Sequence, residues 1–345
     1  MTSPIDIEGG GTSVVVDGEK EPKAKPDEAK QLEGRSPGQL MWIRFKRDRT
    51  GVISAYVVIF FFVVGLAAPL ISKLYGKNPY TVYADERPEL FDSAGVPLQP
   101  NGGISGEFWF GLEPGNGYDV FTKLLYGIRN SLMISLAVTL ATVLTGIILG
   151  VAAGYLGGKI DYFVSRLIDF LLALPSQLFF IASMPVVVSL FVSPRDETPV
   201  YVRVVALISV MWVLGWMSLA RILRGTALAL REREFIEAAK VSGAPPGRII
   251  RKEILPNVVT PILVQSTYML PNFVTAEAGL SFLGVGLVEP TPDWGQMFSK
   301  AATELVMQND LTYMFFPGIS MIIFIVAFNL LGDSVRDAFD PKTAR

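Results

Sequence analysis

No cysteine and no histidine occur among the 345 residues of this chain. Those two absences exclude disulfides, Cys/His zinc sites, thiolate nucleophiles and Ser-His-Asp chemistry. Charge is scarce as well. Asp, Glu, Lys and Arg make up 18% of the residues, where a soluble domain carries about a quarter. The net charge of −2 supplies no basic field of the kind that draws nucleic acid. A phosphate-cradling Walker A loop is also missing, because the stretch from Gly154 to Lys159 lacks both its spacing and its final Ser or Thr. No catalytic, cofactor-binding or metal-ligating residue is expected here, and if ATP drives this protein it is hydrolysed on another chain.

What is present is apolar. Half of the residues are hydrophobic, and they gather into runs of about 20, the length that crosses a hydrocarbon core of ~30 Å at ~1.5 Å per residue. The pattern predicts an all-α membrane protein with six transmembrane helices. Residues 1–38 are polar and rich in Gly, Glu, Lys and Pro, and read as a disordered cytoplasmic tail. No apolar core follows the initiator Met early enough for a cleaved signal peptide. Residues 39–51 set Trp42, Ile43 and Phe45 among Arg44, Lys46, Arg47 and Arg49, an amphipathic basic segment suited to a surface of anionic lipid.

The first transmembrane helix is expected over 52–75. Residues 76–120 form a polar loop with more acids than bases, which suits the extracytoplasmic side, with Phe108, Trp109 and Phe110 as candidate anchors at the membrane interface. Residues 121–345 hold five further helices around a basic cytoplasmic loop at 224–257. Six crossings place both termini in the cytoplasm. The basic clusters at 44–49 and 221–252 then lie inside, as the positive-inside bias requires.

Local features refine the picture. Gly146, Gly150 and Gly154 repeat every four residues on one helix face, which permits close approach of another helix, within the chain or from a partner. Pro175 and Pro185 are expected to kink the third span. Asp169 is expected to pair with Arg166 or solvent. Glu277 is a carboxylate inside the fifth span, a costly placement that implies either contact with a transport pathway or a structural hydrogen bond. Asn272 and Asn329 carry the same two readings.

The 224–257 loop is the most charged internal segment, with Arg231, Arg233, Lys240, Arg248, Arg251 and Lys252. Two helices, Leu228 to Val241 and about Pro246 to Ile254, are predicted, separated by a turn at Gly243 and the Pro245–Pro246 pair. Within it stand Glu237, Ala238 and Ala239, then Gly243 four residues after Ala239, then Leu255 and Pro256. That arrangement resembles the signature loop of ABC importer permeases. Glu253 departs from it, because importers at large often carry Ile two places before the Leu. A second stretch, Ala276, Glu277, Gly279, Ser281, Gly284 and Gly286 followed by Glu289, Pro292, Trp294 and Gly295, resembles the C-type permease subunit of the dipeptide/oligopeptide/nickel importers, as does the closing Gly332–Pro341 segment. The 111–120 stretch keeps only part of that family's pattern.

The resemblance implies the type I importer permease fold in a prokaryotic cytoplasmic membrane. It implies two permease subunits as a heterodimer, two ATP-binding subunits carrying ATP and Mg, and an extracytoplasmic solute-binding protein. It casts Glu237, Ala238, Ala239, Gly243, Leu255 and Pro256 as the elements that couple this chain to an ATPase, most readily for di- or oligopeptide import. Nickel or another small solute is the alternative cargo. A stand-alone channel or carrier is the competing class, and it would want gating charges or proton-coupling carboxylates in mid-span.

Overall fold

The computed structural model describes residues 37–193 and 195–339. The expected tail lies outside the described residues except for its last two positions, and so does everything beyond Phe339. Among the described residues the secondary structure is helical, with two isolated bridges, Phe91 to Pro97 and Leu112 to Asp119, in place of strands.

The basic segment forms α1 (Pro37–Arg47). Asp48 then stops and restarts the chain. Its carboxylate accepts the amides of Thr50 and Gly51 at 3.0 and 3.2 Å, an N-cap for α2 (Arg49–Tyr75). Next come α3 (Val120–Leu156), α4 (Gly158–Leu172), α5 (Ser176–Ser189), α6 (Val200–Gly215) and α7 (Met217–Arg231). After α8 (Glu234–Val241) and the single turn α9 (Pro246–Ile249) come α10 (Leu255–Phe282), α11 (Trp294–Ala301), α12 (Glu304–Asn309) and α13 (Thr312–Phe339).

Four of these units are long and apolar enough to cross a membrane: α2, α3, α6 with α7, and α13. The expected third span is different. It consists of α4 and α5, bent by 92° at the break between them. A proline disfavours the helical region for the residue before it, so Leu174 cannot carry the helix into Pro175, and Pro175 caps a new helix with φ −64° and ψ 105°. The expected kink is therefore a break. Pro185 lies inside α5 without interrupting it.

The glycine stripe packs within the chain. A Cβ built on Gly150 would lie 2.6 Å from the Ala220 carbonyl oxygen, and one on Gly146 would meet Leu219 at 3.0 Å. Together with Gly154, which faces Arg224 and Ala227, they seat α3 directly on the backbone of α7. The bend after α4 lays that helix across α7 as well. Asp161 takes two hydrogen bonds from Arg224, and Asp169 pairs with Arg221 at 2.7 Å. Of the two surroundings expected for Asp169, solvent is met, with its side chain 56% exposed, whereas Arg166 lies over the Tyr162 ring. The helix crossing, invisible in sequence order, decides which cation each acid meets.

Three apolar clusters stack along the bundle. One gathers Phe61, Trp294 and Phe324 where α2, α11 and α13 meet. A second joins α5, α6 and α7 through Met184, Met211 and Met217. The third lies at the end that carries the 224–257 loop. At the opposite end, residues 76–120 form a folded cap around Tyr83, Phe91, Phe108 and Leu112. Phe108 is buried there under the Lys77 ammonium, and Phe110 stacks on Phe316 at 4.3 Å. Of the three expected membrane anchors, only Trp109 is well exposed, because the other two rings are used to fasten the cap to the helix ends.

Candidate functional site

The 224–257 loop is charged outside and apolar beneath. Ile236, Ile249, Ile254 and Val258 are each at most 1% exposed and pack on Val151, Tyr155, Leu219, Leu223 and Ala227 of α3 and α7. Three of these aliphatic anchors lie in the loop and Val258 lies just past it; at about 1.5–3 kcal/mol each they hold the loop as part of the core. The expected first helix, Leu228 to Val241, is divided: α7 ends at Arg231 and α8 starts at Glu234.

The turn after α8 follows from one residue. Gly243 has φ +76°, a conformation that a side chain resists. With that geometry the Gly243 amide donates to the Lys240 carbonyl at 2.9 Å and the Ala244 amide to the Ala239 carbonyl at 3.1 Å. This is the paired closure of a Schellman C-cap. Pro245 then caps α9, and Pro246 occupies its first turn.

Leu255 and Pro256 do not end a helix; they start α10 without a break. Proline has no amide to give the carbonyl four residues back and its ring crowds that oxygen. The chain accommodates it by widening into a π turn over Ile250–Ile254, where the Leu255 amide reaches the Ile250 carbonyl. One continuous run thus leads from the loop into a helix of 28 residues.

Of the expected coupling residues, Glu237, Ala238, Gly243 and Pro256 are exposed, and Ala239 and Leu255 are half-buried. Around them Arg233, Glu234, Lys240, Arg248, Arg251 and Lys252 are exposed too. Val241 stands 90% exposed at the tip. Among the described residues no ion pair engages Glu237. A rigid, fully anchored element thus presents small, apolar and charged side chains outward.

The three polar span residues separate. Glu277 is fully buried, whereas Asn272 and Asn329 are exposed on the surface of the chain. Glu277 accepts from the Ser281 hydroxyl at 3.4 Å and lies beside the buried Asp293. Ser281 in turn accepts the Leu287 amide at 3.0 Å, and Asp293 accepts the Gln296 amide at 2.6 Å. Burial raises the Asp293 carboxyl above the ordinary carboxylate range. The cluster ties the end of α10 to the start of α11.

Sequence reasoning missed a second buried polar cluster. Glu113 of the cap, with no exposed surface, accepts from Lys123 at 2.5 Å and from the Tyr313 hydroxyl at 2.7 Å. Glu289 and Lys300 complete it, 3.5 Å from Lys123 and 3.6 Å from Glu113. Five residues far apart in the chain meet there, and no local spacing announces them.

Comparison with known proteins places this architecture. Residues 146–345 match the model of the binding-protein-dependent transport system inner membrane component. The chain belongs to that family. Residues 36–95 match a further model, the N-terminal TM domain of oligopeptide transport permease C. The dipeptide transport system permease protein DppC of Alkalihalophilus pseudofirmus is 34% identical over 93% of this chain and 95% of its own. The glutathione transport system permease protein GsiD of Shigella flexneri is 33% identical over 93% of this chain and 94% of its own. Among solved structures, a chain of the MetNI methionine ABC transporter in an inward facing conformation superposes with a TM-score of 0.51 at 18% identity, over 64% of this chain and 97% of that one. The fold is thus that of an ABC importer permease. The protein is a multi-pass component of the cytoplasmic membrane, in a family of permeases rather than ATPases.

Proposed function

We propose that this permease carries di- or oligopeptides inward, as one half of a heterodimeric pathway. Two ATP-binding subunits holding ATP and Mg drive it, and an extracytoplasmic solute-binding protein delivers the cargo. The printed activities of the relatives, dipeptide and glutathione transport, support a short peptide over nickel as cargo. In this reading α10 crosses as well, although its prolines and polar residues leave it less apolar than the four long units. With the α4–α5 pair it completes six crossings, and both termini face the cytoplasm.

The observation that carries the coupling role is the unbroken run from α9 through the π turn into α10, with α8 fastened to the same core. A loop anchored by Ile236, Ile249 and Ile254 cannot move without its helices. If an ATPase grips the exposed face of α8, closure of that ATPase displaces α8, and the π turn and α10 follow. Glu237 is then free to pair with a cation on the ATPase, Ala238 and Ala239 permit close approach, and Gly243 shapes the turn. Leu255 and Pro256 join the loop to the span.

The test is reconstitution. The chain is purified in mild detergent with whatever accompanies it, identified by mass spectrometry, and returned to liposomes with its binding protein. The expected result is a second permease, Walker-containing ATPases and ATP-dependent peptide uptake. A chain that comes out alone and exchanges solute without ATP refutes the reading.

A further inference from the structure

At the end of the bundle opposite the 224–257 loop lies a cavity of about 380 Å³, within the size range of small-ligand sites, roughly 300–1,000 Å³. Its walls come from α5, the segment that joins α5 to α6, the first turn of α6, and the residues just past α10. Met184, Val188, Gly284 and Val285 give it an apolar side, and Arg203 and Asp196 give it two charges of opposite sign.

Arg203 is incompletely satisfied. Its Nε is buried without a hydrogen-bond partner. Its Nη1 reaches the Gly286 carbonyl only at 3.5 Å, the outer limit of a hydrogen bond. Among the described residues it joins no ion pair, although Asp196 lines the same cavity. A guanidinium beside a membrane span is costly unless something meets it, and its planar fork matches a carboxylate through two parallel hydrogen bonds.

We infer that this cavity is a cargo subsite for a short zwitterionic peptide, with Arg203 holding the terminal carboxylate and Asp196 facing the terminal ammonium. This deepens the proposed function and rests on its peptide cargo. The apolar wall accepts side chains without reading them, and the two charges read what every free peptide has. The site also sits where the drive arrives, because Gly284 and Val285 immediately follow the helix that starts at the loop.

The test uses the assembled importer in proteoliposomes with its own binding protein, and compares dialanine with dialanine amide. Every variant meets the same binding protein, so the preference of that protein cancels when each uptake rate is divided by the wild-type rate for the same compound. Arg203→Gln is expected to cut dialanine uptake at least tenfold and to leave uptake of the amide within twofold of wild type. Arg203→Lys, which keeps the charge, is expected to lower the rate for dialanine while retaining preference for the acid. Asp196→Asn is expected to reproduce the selective loss when dialanine is compared with its N-acetyl form.

Equal losses for acid and amide in both Arg203 variants would overturn the inference. They would assign the arginine to packing or to an acidic side chain of the docked binding protein. Unchanged uptake would overturn it as well. A wild-type complex that hydrolyses ATP but carries neither compound would instead refute the peptide cargo itself.

Discussion

The Leu255 amide donates to the Ile250 carbonyl, five residues back, and so spares the chain the clash that Pro256 would cause in a regular helix. Replacing Pro256 with Ala removes the reason for the wide turn. The loop can then wind into an α-helix, which rotates every residue before it relative to α10. Pro256→Ala is expected to retain assembly and ATP hydrolysis while lowering peptide uptake at least fivefold. Uptake and phosphate release measured on the same proteoliposomes decide it.

Gly243 offers a sharper probe of the same loop. A Cβ there would find open space, so bulk alone costs nothing within this chain, but the +76° φ resists any side chain. Asn tolerates that region better than other residues. Gly243→Asn is therefore expected to transport within about threefold of wild type. Gly243→Trp is expected to insert and assemble in the membrane but lose coupled uptake, because bulk and strain fall on the proposed docking face. Normal uptake by the Trp variant would sink the docking model.

Val241 tests docking without backbone strain. It is 90% exposed, and substitutions at such positions usually change stability by less than about 0.5 kcal/mol. Val241→Glu is expected to leave the melting temperature of the isolated chain unchanged and to reduce the ATPase recovered in a pull-down. Full recovery would show that the tip lies outside the interface.

Two glycines make a matched pair for packing. Gly150→Ala forces a methyl toward the Ala220 carbonyl oxygen at 2.6 Å, whereas nothing lies within 4 Å of the Cβ position at Gly225. The first is expected to destabilise by about 1–3 kcal/mol through overpacking. The second is expected to stabilise by roughly 0.5–1 kcal/mol through better helix propensity. Thermal unfolding in detergent, followed by tryptophan fluorescence, separates them by sign.

Lys123 supplies the last test. Lys123→Met leaves buried Glu113 with Lys300, 3.6 Å away, as its one cation and the Tyr313 hydroxyl as its remaining donor, an imbalance expected to cost about 3–5 kcal/mol. Adding Glu113→Gln to the same chain is expected to recover at least half of that loss. The recovery is read as the difference in unfolding midpoints between the single and double variants.

Much of the bundle was legible because its signals are local. Apolar runs marked the long spans, Gly243 and the two prolines marked the turn, and the loop signature named the family. The helices Leu228 to Val241 and Pro246 to Ile254 were misjudged at their joins. Propensity alone does not show that α7 must stop at Arg231 for Ile236 to reach the core. Ile249 and Ile254 inside a charged loop, with Val258 just past its end, were a usable clue that the loop is anchored. Nothing local pointed to Arg221 as the partner of Asp169 or to Tyr313 as the partner of Glu113. Those pairs exist only because a 92° bend and a folded cap bring distant segments together.

The uninterrupted run of α10 has a mechanical consequence. Its 28 residues span ~42 Å at ~1.5 Å per residue, so a tilt of about 5° at one end sweeps the other through nearly 4 Å. Pro261 and Pro271 rob the Asn257 and Thr267 carbonyls of their helical partners and make the rod compliant at two heights. Under the proposed coupling, a push from the cytoplasm reaches the far side as leverage tempered by two soft joints, so a small stroke at the loop moves the outer end of α10 by a few ångströms.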